Sequence, residues 1–182
     1  MSLIIAASLL GTVGAIATAQ DYDYAAQAAQ GVPSAPAELA VPAGNSLLMK
    51  VLADGVQIYA CSAKADNSGY EWVLKAPDAV LTDDKGSKLG THYGGPSWES
   101  IDGSKITGAL RARANSTDPN AIPWLLLETR SAGKQGAFAK VSFIQRLETV
   151  GGKAPASGCT RASLNTEARV GYTATYYLYG SK

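Results

Sequence analysis

The feature that most constrains this chain is a series of short runs with strand chemistry, each closed by Gly, Pro, Asn or Asp. They are Leu47 to Ala53, Val56 to Cys61, Tyr70 to Lys75, Ala79 to Thr82, Lys105 to Arg113, Ile122 to Arg130, Ala139 to Thr149 and Arg169 to Tyr179. In the last run Val170, Tyr172, Ala174, Tyr176 and Leu178 share one face, and β-branched or aromatic residues dominate both faces. Nothing repeats at helical spacing for more than two turns. About eight strands separated by turn signals predict an all-β domain, a single antiparallel β-sandwich or β-barrel with long loops. Between the first two runs, Asp54-Gly55 suits the positive φ angles of a tight turn and predicts an opening hairpin. The polar segments 62–69, 86–104 and 151–167 are the expected loops, where a β scaffold usually carries function.

The 182 residues suffice for one domain with a sizeable core, expected over residues 45–182. Sixteen basic side chains against fifteen acidic ones leave a net charge of +1, with no run of Lys or Arg. Nucleic acid is therefore excluded as an obligatory partner, because phosphate neutralisation needs a concentrated basic surface. Ahead of the domain, residues 20–44 are rich in Ala, Gln, Pro and Gly, and Pro33, Pro36 and Pro42 predict a tether or strap that neither helix nor sheet runs through.

Residues 2–19 carry no charge, hold the apolar run Leu3-Ile4-Ile5-Ala6-Ala7, and end in Ala17-Thr18-Ala19, with small residues at the first and third positions of that tripeptide. This is the pattern of a secretory signal over residues 1–19, with Gln20 as the expected mature start and no stable membrane span after cleavage. A transmembrane anchor is the competing reading, disfavoured by the many Ala, Gly, Ser and Thr and by the absence of flanking basic residues. The expected location is secreted, periplasmic or at the cell surface. In such a compartment Cys61 and Cys159 read as a disulfide closing a loop of about 99 residues, which contributes on the order of 4 to 5 kcal/mol in the chain-entropy picture. Two separate buried thiols are the alternative. There is no C-x-x-C spacing for a redox pair or a Cys-based zinc site.

The densest concentration of chemistry-bearing side chains runs from Asp83-Asp84 through Gly90-Thr91-His92-Tyr93-Gly94-Gly95-Pro96-Ser97-Trp98-Glu99 to Asp102-Gly103-Ser104. Aromatic rings flanked by small residues present flat apolar faces that stack on sugar rings or dock partners, so His92, Tyr93, Trp98 and Glu99 are the candidate ligand-binding residues. The blander alternative is that His92 and Trp98 pin a loop to the barrel. With a single His, no metal site and no cofactor are predicted. Paired carboxylates, Glu99 with Asp83, Asp84 or Asp102, are the raw material of a glycoside hydrolase, but sequence does not supply their separation. No G-x-S-x-G elbow supports Ser97 or Ser100 as a nucleophile. Pro123-Trp124-Leu125-Leu126-Leu127 is too uniformly apolar for a half-exposed strand and is expected in the core or at an interface. Arg146, interrupting an apolar run, is expected to pair with an acidic residue such as Glu99 or to face solvent. Asn115-Ser116-Thr117 is a glycosylation sequon only in a host that glycosylates.

Taken in order, Gln57-Ile58-Tyr59-Ala60-Cys61, the Gly90 to Glu99 stretch, Asp102-Gly103-Ser104, Ile122 to Leu127, Ile144 to Gly152 and Val170 to Ala174 closely resemble the domain-of-unknown-function family 3455. The resemblance spans Pro36 to Tyr179. It implies a secreted protein of bacteria or fungi, and shared roles for the His92 to Glu99 stretch and the two Cys, but no established reaction. The expectation is thus an exported, disulfide-bridged binding domain whose ligand is carbohydrate or another cell-envelope component. A secreted hydrolase, and a structural or assembly protein using the Trp124 strand as an interface, are the alternatives.

Overall fold

The computed structural model describes residues 33–181; the apolar N-terminal segment and the cleavage site expected after Ala19 lie outside them. Eight strands, β1 (Asn45–Ala63), β2 (Tyr70–Thr82), β3 (Lys88–Tyr93), β4 (Ser97–Ser100), β5 (Lys105–Ala114), β6 (Trp124–Ser131), β7 (Phe143–Gly151) and β8 (Glu167–Ser181), form one closed barrel. Each pairs antiparallel with its neighbour in sequence, and β8 closes the ring onto β1. Of the two architectures the strand pattern allowed, the barrel is the one formed. No helix among the described residues is long and apolar enough to cross a membrane.

The strands are divided differently from the sequence expectation. Asp54-Gly55 is no hairpin: it lies in the middle of β1, where Gly55 faces Ala79 of β2 and Tyr172 of β8. A Cβ there would sit 2.2 Å from the Asp78 carbonyl oxygen, so the glycine serves close approach of neighbouring strands rather than a turn. β2 likewise runs through Pro77, which stands opposite Gln57, and the register shift against β1 falls two residues earlier, at Lys75. The expected loop 86–104 holds β3 and β4, paired as a short hairpin around Gly94-Gly95-Pro96. Two pairs of expected runs merge and two strands emerge from the supposed loop, which leaves the total at eight.

Period-two alternation sends Val51, Ala53, Leu81, Ile106, Leu127, Ile144, Tyr176 and Leu178 inward to the core. One end of the barrel is closed by the β6–β7 connection, which buries Phe138 and Val141. Asp102 latches that plug, accepting hydrogen bonds from the Ser104 backbone N–H, the Ser104 hydroxyl and the Ala137 N–H, while Ser104 Oγ accepts from Phe138 N–H. Burial alone would raise the Asp102 carboxyl, but these donors together hold it below the usual range.

Outside the wall, the 3₁₀ turn Ala37–Leu39 sets Leu39 into a second cluster with Leu126, Leu147, Tyr177 and Tyr179. Gln145 ties the turn down, donating to the Leu39 carbonyl at 2.7 Å and accepting from Tyr179 Oη at 2.8 Å. β6 is therefore apolar on both faces because both are covered: Leu125 and Leu127 pack with the barrel core, Trp124 and Leu126 with the outer cluster. Cys61 and Cys159 are bridged, with their Cα atoms 5.3 Å apart. The bond joins the end of β1 to the long β7–β8 connection.

Candidate functional site

The lengths of β3 and β4 create an opening. β3 covers β2 only from Asp78 to Thr82, and β4 covers β5 only from Lys105 to Thr107. The preceding part of β2, Tyr70 to Pro77, and the following part of β5, Ala109 to Ala114, extend past the Gly94-Gly95-Pro96 turn with one edge each unpaired to a strand. Between them the wall is low. A cavity of about 610 Å³ lies behind this notch, at the end opposite the Phe138 plug. Leu74, Lys75, Ala76, Pro77, Leu110 and Arg113 line it on the two overhanging strands, and Ile122 and Pro123 on the β5–β6 connection. Trp98, His92, Tyr176, Gln57 and Arg146 line it from within the barrel. The volume falls in the range of small-molecule sites, and an eight-stranded barrel has room for one such ligand.

The four residues singled out from the sequence divide between the two sides of the wall. His92 and Trp98 are directly opposite each other on β3 and β4, face inward, and are 3% and 1% exposed. Their rings stack at 4.2 Å between centroids, and Tyr176 meets both edge-on. Gly108 makes room for the indole: a Cβ there would stand 2.9 Å from the Trp98 ring. Tyr93 and Glu99 form a separate contact, Tyr93 Oη donating to Glu99 Oε2 at 2.5 Å, with Lys105 Nζ 5.0 Å from the centre of the Tyr93 ring. Neither Tyr93 nor Glu99 lines the cavity.

The carboxylates considered for paired catalysis are each engaged in a different place. Asp83 accepts the Lys85 and Ser87 N–H groups in the β2–β3 turn, Asp84 pairs with Lys50 at 2.9 Å, and Asp102 holds the plug. Among the described residues no three His, Cys, Asp or Glu side chains converge as metal ligands would.

Arg146 departs from its expectation. It neither pairs with Glu99 nor turns to solvent. It shares the inner face of β7 with Ile144 and lines the cavity, where Nε and Nη2 donate to the Pro123 carbonyl at 3.2 and 2.8 Å. No carboxylate among the described residues forms an ion pair with it. A sequence signal for this was present, since Ile144 and Arg146 alternate with Phe143, Gln145 and Leu147, but both faces of the run looked apolar and the inner one was not identifiable.

Arg146 and burial together set the electrostatics of the floor. Burial pushes the His92 imidazole down to about 4, with the Arg146 charge adding to it and the Ser97 carbonyl opposing. That carbonyl accepts a hydrogen bond from Nδ1–H at 2.8 Å, so Nε2 is the acceptor of the neutral ring. Burial likewise raises Tyr172 and Tyr176 and keeps both as phenols. Tyr59 donates to the Gly152 carbonyl at 2.6 Å. In contrast, Gln57 Nε2 and Trp98 Nε1 are buried without a hydrogen-bond partner among the described residues. Native interiors rarely leave such groups unmatched.

Against known proteins, the family profile described as "Protein of unknown function (DUF3455)" matches residues 42–180, from just before β1 almost to the end of β8. No curated protein and no solved structure matches the chain.

Proposed function

This chain belongs to the family described as protein of unknown function (DUF3455), and we propose that it is a binding protein which takes up one small molecule through the notch between β2 and β5. The observation that carries this reading is the open cavity of about 610 Å³, with an apolar rim at Leu74, Pro77 and Leu110 and a polar aromatic floor at His92, Trp98 and Tyr176. Within the proposal His92 and Trp98 serve the ligand from inside the barrel, and Tyr93 and Glu99 brace the hairpin that carries them. The ligand class expected from the sequence, carbohydrate or another envelope component, enters as a molecule small enough for the cavity. The disulfide and the charge-free N-terminal segment support action in an oxidising compartment outside the cytoplasm.

Calorimetric titration of the oxidised protein with decan-1-ol, decanoate and cellobiose tests the proposal beside two variants that narrow the notch, Ala76→Trp and Leu110→Trp. Saturable binding of at least one probe is expected, weakened tenfold or more in whichever rim variant keeps the wild-type circular dichroism. Absence of binding by all three, or equal binding by wild type and both variants, contradicts it.

A further inference from the structure

We propose that the ligand is an amphipathic carboxylate whose carboxylate group is held by Arg146 on the cavity floor and whose apolar body extends toward Leu74 and Leu110. The inference rests on the cavity being the ligand site and adds the chemistry of what occupies it.

Charge comes first. The cavity lining includes the cations Lys75, Arg113 and Arg146 and not one Asp or Glu. Lys75 is already spoken for by Glu167 at the rim. Arg146 is different: it is a guanidinium on the inner face of the wall, with a backbone carbonyl as its acceptor and no carboxylate partner among the described residues. A guanidinium has five N–H donors, and the Pro123 carbonyl together with the neighbouring Tyr176 side chain does not use them all. A cation kept in a partly desolvated site without a counter-charge is costly unless something supplies that charge.

The neutral groups point the same way. Trp98 Nε1 only donates and the Gln57 Nε2 amide nitrogen only donates; both residues line the cavity, are at least 98% buried, and leave these atoms unmatched. The unmet demand is therefore for an acceptor. Tyr176 meets the Trp98 ring edge-on and is close enough to Arg146 for the charge of one to act on the other, so the Trp98 donor and the cation share one region. A planar carboxylate suits the guanidinium fork and has lone pairs left for neighbouring donors. Most of the remaining lining, Ile122, Pro123, Leu125, Leu127, Leu110 and Leu74, is apolar and suits an alkyl or aryl body.

The test is the ratio of decanoate to decan-1-ol affinity, measured calorimetrically at about pH 7.5, where the carboxylic acid is ionised. In wild type decanoate is expected to bind about tenfold to a hundredfold more tightly than the alcohol, the value of one charge-assisted contact. Arg146→Gln is expected to bring the ratio close to one. Arg146→Met, similar in length and apolar, is the second variant, and the reading is taken from whichever retains the wild-type circular dichroism. Equal affinities for the two probes in wild type, or an unchanged ratio in the folded variant, overturn the carboxylate assignment while leaving the cavity as the site if Ala76→Trp still weakens both. If neither probe binds wild type at all, the carboxylate assignment falls, and the cavity reading falls with it where cellobiose fails to bind as well.

Discussion

Acidification should destabilise this protein through His92 before most other groups are involved. The imidazole is 3% exposed, stacked on Trp98 and within the influence of Arg146, and burial pushes it down to about 4 in the folded chain. In the unfolded chain an imidazole titrates near its ordinary value of about 6.5. Between those values the unfolded state holds the extra proton, so stability falls as pH falls, beginning near the unfolded value and levelling once the folded value is passed. A gap of about 2.5 units at about 1.4 kcal/mol each makes the loss about 3 kcal/mol from pH 7 to pH 4. Carboxylates titrate over part of the same range, and a variant separates them from His92. His92→Phe keeps an aromatic ring against the Trp98 indole and cannot take a proton. Urea denaturation across that pH range should show wild type losing about 3 kcal/mol more than the variant. Parallel stability curves, or an NMR titration of the His92 ring near 6.5 in the folded protein, would refute the burial argument.

Other expected outcomes rest on single contacts. Reduction of the Cys61–Cys159 bond, or its replacement by Ala at both positions, should cost on the order of 4 to 5 kcal/mol in urea denaturation, because the bridge closes a sequence separation of 98 residues; recovery of two alkylatable thiols from oxidised native protein would contradict the bridge. Trp98→Ala should cost about 3 to 5 kcal/mol through the lost ring and the cavity left behind, read as a lower urea midpoint. Gly55→Ala should cost about 2 kcal/mol, since its Cβ would meet the Asp78 carbonyl at 2.2 Å, whereas Gly171→Ala, with open space at that position, should cost well under half as much.

Much of the wall was legible from residue order because inward and outward positions alternate in a strand. Tyr172, Tyr176 and Leu178 were placed on one face of the last run, and that face is the core. What stayed hidden depended on neighbours far away in sequence. Asp54-Gly55 has the composition of a tight turn, and only the approach of Asp78 and Ala79 shows that the glycine is needed in mid-strand. The Gly-rich stretch around His92 and Trp98 looked like a loop because its strands are six and four residues long, too short for a periodic signal. Their brevity is what lowers the wall and opens the notch. The inward side of Arg146 is not legible in the sequence for a related reason: a charge in an apolar run is normally outward, and β7 is covered outside by Leu39 as well as inside by the core.

The most direct measurement is a ¹H–¹⁵N NMR titration of the three indole N–H signals with decanoate. Trp98 lines the cavity, while Trp72 donates to the Ser157 carbonyl at 2.9 Å away from it, and Trp124 belongs to the outer cluster beneath the Leu39 turn. Ligand entering through the notch should move the Trp98 signal saturably and leave the Trp72 and Trp124 signals in place. A stationary Trp98 signal with movement at Trp72 or Trp124 would put the ligand on the outside of the barrel and contradict binding within it.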